Sequence, residues 1–189
     1  MTDFFELLKT RRSIRQFEDK EVPLETIREI IKECCLAPSA ANRQPWKFII
    51  IQNRDLIKQI SDESKKNILA FIEQNPGSPS KRYEAAMRNP NFNVFYNAPS
   101  LVYIVGPKEA QNLYVDCTLA ACYFMFCASA RGLGTCWVGL GTSLIDPELL
   151  DRMGMPENHK IVAPIILGHP KGIPGIPERM EADILKIVR

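Results

Sequence analysis

Residues 111–141, QNLYVDCTLAACYFMFCASARGLGTCWVGLG, change periodicity in mid-course. From 111 to 131 apolar side chains occupy nearly every side of a helical wheel. That predicts a long helix at the centre of the molecule or at a subunit interface. Gly132 and Gly134 then supply the stop expected where a helix gives way to a strand. TCWVGL, residues 135–140, is short, apolar and rich in β-formers, so a strand follows the stop. A helix stop accounts for Gly132 and Gly134 but leaves Gly139 and Gly141 unexplained. Glycines at those positions allow an exposed backbone N–H.

Outward from this switch, helices and strands alternate. SLVYIV from Ser100 and KIVAPIILG, residues 160–168, read as further strands. WKFIII, residues 46–51, bounded by Pro45 and Asn53, reads as a buried strand. Between the last two strands, Asp146 caps and Pro147 opens a short helix. Upstream, Ile27, Ile30, Ile31, Cys34 and Cys35 recur at helical spacing in a helix that starts near Pro23 and is stopped by Pro38. Residues 55–72 predict another helix, with Leu56, Ile57, Ile60, Ile68, Leu69 and Ile72 inward, and residues 75–81 a loop. Asp3 and Glu6 have capping-box spacing ahead of a short first helix that ends near Thr10. The tail beyond Pro170 holds Pro174, Pro177 and a strand-like ILKIV at 184–188. It has too little pattern to pack alone and is expected to run across the body or onto a partner chain. The expected fold is α+β: a single domain over residues 1–189, with a four-stranded, mostly antiparallel sheet flanked by helices.

Composition narrows the function. Lys and Arg number 24 against 22 Asp and Glu, a net charge of +2, which argues against a dedicated nucleic-acid binder. The first residues lack a secretory-signal pattern, and the apolar run Cys117–Ala130 is short for a bilayer span, so a cytoplasmic, membrane-free protein is expected. Six cysteines show no C-x-x-C spacing, and only two histidines are present. Metal centres and histidine-based triads therefore have little support, and buried reduced thiols are the simplest reading. Any hard chemistry then belongs to a bound cofactor.

Three stretches carry polar groups suited to such a group. KTRRSIRQF, residues 9–17, follows the first helix and sets Arg11, Arg12 and Arg15 around Ser13. Guanidinium forks and a hydroxyl match phosphate oxygens, although a basic turn also favours a helix C-terminus. APSAANRQPW, residues 37–46, combines small residues with the amides of Asn42 and Gln44, which suit the edge of a flat heteroaromatic ring. GLGTCWVGLG, residues 132–141, is the third. Neither G-x-G-x-x-G nor a P-loop occurs.

RRSIRQF, APSAANRQPWKF, FYNAP, GLGTCWVG and LGHP, in that order and spacing, resemble the FMN-dependent nitroreductase family over nearly the whole chain. The resemblance implies a nitroreductase-like flavin reductase fold, a homodimer with two interface FMN sites, and a C-terminal extension onto the partner. It implies that Arg11, Arg12 and Ser13 hold the phosphate and ribityl chain, and that Arg15 reaches the pyrimidine side of the flavin near N1 and O2. Pro38, Ser39, Ala40 and Asn42 would come from the other subunit. Trp137, Val138, Gly139 and Leu140 would line the ring, with an N–H of Gly139 or Leu140 toward N5. Arg179 stands where a second phosphate ligand is common, and Asn91 near the pyrimidine edge. No protein acid or base is then needed, since flavin N5 carries the chemistry.

The implied activity is ping-pong hydride transfer from NADH or NADPH to nitroaromatics, quinones or similar electron-poor acceptors. Two departures bear on it. Cys122 and Tyr123 replace a Gln-Asn pair frequent in the family, and Glu178 stands beside Arg179 where a second basic residue is common. Alternatives are a flavin-binding electron-transfer or storage module, and a flavin-fragmenting or dehalogenating member of the same fold. Phe92, Phe95 and Tyr96 could gate an aromatic substrate or simply pack.

Overall fold

The computed structural model describes residues 3–189. Its elements run α1 (Phe4–Thr10), α2 (Leu24–Cys34), β1 (Lys47–Ile51), α3 (Arg54–Gln74), α4 (Glu84–Arg88) and β2 (Ser100–Pro107), then α5 (Leu113–Ala130), β3 (Gly134–Trp137), α6 (Pro147–Arg152) and β4 (His159–Gly168). The four strands form one sheet in the order β1-β2-β4-β3, and every neighbouring pair is antiparallel. The α+β expectation holds.

Period-two alternation along β2 divides the core. Leu101, Tyr103 and Val105 join Ile57, Ile60, Ile68, Met87, Leu149 and Met153 on the face covered by α3, α4 and α6. Val102 and Ile104 join Ile27, Ile30, Cys117, Ala121 and Phe124 on the face covered by α2 and α5. A register shift between Ile104 and Val105 interrupts the β2–β4 ladder. β2 and β4, buried on both faces, are the centre of the sheet.

α5 packs Leu113, Cys117, Ala120, Ala121, Phe124 and Ala128 inward and leaves Tyr114, Val115 and Tyr123 exposed. It starts earlier than the run counted from Cys117, and by length and composition alone it could cross a membrane. In the fold it is a core helix on β4 and α2. Its end forms a Schellman motif: Leu133 N–H donates to Ala128 O and Gly132 N–H to Ser129 O, both at 3.0 Å, with Gly132 at φ +71°.

Several local expectations are corrected. β1 is an edge strand and only half-buried, because its second side has no neighbour in the sheet. The Asp3 side chain makes no cap bond to α1, whereas Asp146 caps α6 through Glu148 and Leu149 N–H at 3.0 and 3.2 Å. The 75–81 loop winds into a 3-10 turn over Pro79–Tyr83. ILKIV forms no strand: residues 171–189 are exposed and outside any helix or strand. A β-prone segment needs a ladder, and this one pairs with no strand among the described residues.

Candidate functional site

The basic segment after α1 runs extended along the free edge of β3. Ser13 forms a parallel bridge with Thr135, Ile14 N–H donates to Thr135 O at 2.9 Å, and Phe17 bridges Pro170. Ile14 and Phe17 are buried, and Arg15 and Gln16 between them are exposed. Gly134 makes this approach possible, since a Cβ there would lie 2.7 Å from Ile14 Cγ1. Of the two glycines read as a helix stop, only Gly132 serves that purpose.

The three guanidiniums are not equivalent. Arg12 Nη1 donates to Arg11 O at 2.5 Å and its Nη2 to Lys9 O, so it covers carbonyls at the C-terminal end of α1. Its Nε is buried without a partner. Arg11 Nη1 approaches only the Met125 sulfur, at 4.0 Å. None of the ion pairs among the described residues engages Arg11, Arg12 or Arg15. A small cavity of about 80 Å³ adjoins Arg11 and Arg12 but not Arg15, lined in part by Ile14, Ser129, Gly132 and Ile173. The result is a concentrated positive field without a local counter-ion.

Two residues beyond the Ser13–Thr135 bridge, along both paired segments, stand Arg15 and Trp137. Trp137 is half-buried and Val138 is core. Val138 N–H is pinned to Pro164 O at 2.8 Å, and a 3-10 turn follows over Gly139–Thr142. The N–H groups of Gly139 and Leu140 open that turn without a backbone acceptor among the described residues. Nothing lies within 4 Å of a Cβ built on Gly139, so open space faces it. Gly141 has a different cause: a Cβ there would meet the Phe95 ring at 2.6 Å. Tyr103, fully buried, donates its hydroxyl to Gly141 O at 3.1 Å and fixes the turn from beneath.

Arg15 lies over the Tyr96 ring, 5.7 Å from its centroid, and Tyr96 meets Phe92 edge-on at 5.8 Å. Tyr96 and Asn97 adopt left-handed backbone conformations, φ +54° and +53°. FYNAP marked this region, but nothing in it marked Tyr96 as the neighbour of Arg15.

The second polar loop is also unusual. Ala41, Asn42 and Gln44 have φ of +49°, +52° and +47°, a cluster of conformations that cost free energy in residues other than glycine. Ala40 N–H donates to Asp116 Oδ1 at 3.0 Å, Gln44 N–H to Ser39 Oγ at 3.0 Å, and Gln44 Nε2 to Asn42 Oδ1 at 3.1 Å. Pro38 and Asn42 are exposed, and Ser39 and Ala40 half-buried. Asp116, buried in α5, is a support that was missed; an acidic side chain in so apolar a helix was the available signal.

Within one chain the two polar stretches do not meet. The 38–44 loop is tied to Asp116, near the start of α5, whereas Arg11 lies by Met125 toward its end. Nine residues of helix separate those anchors, about 14 Å at 1.5 Å per residue. Asn91 is exposed on the rim of a separate cavity of about 460 Å³ between α3 and the 89–98 turn. Arg179 sits in the exposed tail, without a hydrogen bond or ion pair among the described residues.

A nitroreductase of Bacteroides fragilis solved with bound FMN is 25% identical, covers all of both chains and superposes with a TM-score of 0.83. An oxidised iodotyrosine deiodinase solved with FMN and 3-iodo-L-tyrosine is 22% identical, with a TM-score of 0.76 over 97% of this chain and 99% of that one. An Archaeoglobus fulgidus protein named "Putative NADH dehydrogenase/NAD(P)H nitroreductase" is 28% identical, over 90% of this chain and 87% of its own length. Iodotyrosine deiodinase 1 of Rattus norvegicus is 25% identical over 93% of this chain and 65% of its own length. The pattern of the Nitroreductase family matches residues 8–169, from the basic segment to the residue that follows β4, and this chain belongs to that family.

Proposed function

We propose that the protein is an FMN-dependent NAD(P)H oxidoreductase that acts as a cytoplasmic homodimer on electron-poor aromatic or quinone-like acceptors. The observation that carries this reading is the uncompensated guanidinium cluster beside the unbonded Gly139 and Leu140 amides, in a member of this family. When bound, FMN would supply two-electron hydride chemistry between a reduced nicotinamide and the acceptor.

The chain's own residues then have distinct tasks. Arg11, Ser13 and the orphaned Nε of Arg12 hold the phosphate and ribityl chain through charge-assisted hydrogen bonds. Arg15 sets a fixed cation at the pyrimidine side, where negative charge accumulates on reduction. An amide of Gly139 or Leu140 orients N5, with Trp137 and Val138 backing the ring. Pro38, Ser39, Ala40 and Asn42 would come to the partner's cofactor site across a two-fold axis, which brings opposite ends of α5 together. Arg179 crosses with the tail to add a second phosphate contact, and Asn91 approaches the pyrimidine edge.

FMN titration of Arg11→Ala tests the phosphate assignment. Loss of a charge-assisted hydrogen bond predicts roughly ten- to hundredfold weaker binding; unchanged affinity would remove Arg11 from the site. The iodotyrosine deiodinase relatives favour a second reading, reductive dehalogenation of a halogenated phenol. Iodide release from 3-iodo-L-tyrosine under reducing conditions would favour it, and its absence alongside nitroaromatic reduction would favour the first.

A further inference from the structure

Resting on the proposed place of Arg15 at the flavin, we propose that Lys65 and Tyr96 together are positioning residues for Arg15. Lys65 shapes the turn that presents the Tyr96 ring, and the ring holds the guanidinium.

Lys65 projects from α3, and the residue is 8% exposed. Its ammonium donates to Asn89 O at 2.8 Å and Phe92 O at 3.0 Å, and none of the ion pairs among the described residues gives it a carboxylate. A buried cation without a counter-ion is expensive, so its two hydrogen bonds to one turn are its compensation. Ser61 Oγ, also on α3 and buried, accepts from Val94 N–H at 2.9 Å, and Asn93 Oδ1 accepts from Phe95 N–H at 2.8 Å. Residues 89–95 are thus tied to α3 at three points before the chain enters the left-handed pair Tyr96 and Asn97. Such a pair persists only where its surroundings over-determine it. The outcome is a half-buried ring, braced edge-on by Phe92, with Arg15 over its face. Arg15 has no carboxylate or hydrogen-bond partner among the described residues, so the ring restrains an otherwise free side chain.

The test is the midpoint potential of bound FMN, measured on the holoenzyme with FMN saturating. Arg15→Gln, Tyr96→Ala, Tyr96→Phe, Lys65→Met and the double variant Lys65→Met/Tyr96→Ala are compared. Tyr96→Ala and Lys65→Met should each lower the potential, equivalent to a roughly two- to fivefold smaller preference for reduced FMN. The double variant should fall no further than the lower single, because both act through one stack. Tyr96→Phe, which keeps the ring, should hold the wild-type potential. If Arg15→Gln lowers the potential while Tyr96→Ala and Lys65→Met lower only the melting temperature, the positioning role is overturned. If Arg15→Gln itself leaves the potential unchanged, the placement of Arg15 at the flavin fails, and this inference with it. Should Lys65→Met not fold, Lys65→Gln, too short to hold both carbonyls, is measured in its place, and an unchanged potential there overturns the role of Lys65.

Discussion

Arg12 shows how far a residue's type can be read without its geometry. RRSIR announced a cationic cluster, but two nitrogens of Arg12 lie on carbonyls at the end of α1, a local demand that follows from the helix stopping at Thr10. Arg12→Ala should therefore lower thermal stability by about 0.5–1.5 kcal/mol, whereas Arg11→Ala should leave melting nearly unchanged and weaken FMN. The expectation of buried reduced thiols holds for Cys34, Cys117 and Cys136, whereas Cys35, Cys122 and Cys127 are free but only half-buried. Burial raises the Cys34 thiol, raises Cys117 to about 12 and Cys127 to about 11. Native alkylation at neutral pH should leave Cys34 and Cys117 unmodified by mass spectrometry and label them after denaturation. Glu33 is held below its ordinary 4.5 chiefly by its hydrogen bond to Arg131. A depressed carboxylate stabilises the fold above its unfolded pKa, and that stabilisation is lost as pH falls through the folded value. Glu33→Gln should thus cost about 0.2–1 kcal/mol at neutral pH, a difference that closes below pH 4.5 in denaturant melts.

At the level of elements, α2, α3 and β2 were readable because their apolar periods match the faces they bury, and α5 because it is long and apolar on nearly every side. The edges were not. β1 has the composition of an interior strand, and only the sheet order leaves it half-covered. ILKIV has strand composition but pairs with no strand among the described residues, since pairing depends on residues remote in sequence. The open edge of β1 offers unpaired backbone groups, and the tail carries Ile184, Leu185, Ile187 and Val188 exposed. Removing residues 171–189 should weaken self-association in analytical ultracentrifugation and reduce FMN retention; a truncated chain that dimerises and holds FMN as before would contradict a role for the tail on the partner. The Gly139–Thr142 turn rests on Gly141, whose Cβ position is filled by Phe95. Gly141→Ala should displace the turn and lower FMN affinity, while Tyr103→Phe, losing one hydrogen bond, should cost only about 0.5–1.5 kcal/mol of stability.

For the whole molecule, a three-layer α+β body in the Nitroreductase family places its two polar stretches at separate ends of α5. The stretches were legible one by one; their separation was not, because it depends on which end of a helix each loop is tied to. That separation is why the proposed site needs two copies of the chain, and why the exposed apolar side chains of α1 and α5, Phe4, Phe5, Leu8, Tyr114, Val115 and Tyr123, are expected to be covered between them. The most direct test of the central claim is an anaerobic absorbance spectrum of protein incubated with FMN, desalted, then treated with NADH or NADPH and finally with a nitroaromatic. The account predicts a retained yellow flavin that bleaches with a reduced nicotinamide and regains its colour with the acceptor. A colourless protein, or a bound flavin that neither nucleotide bleaches, would contradict it.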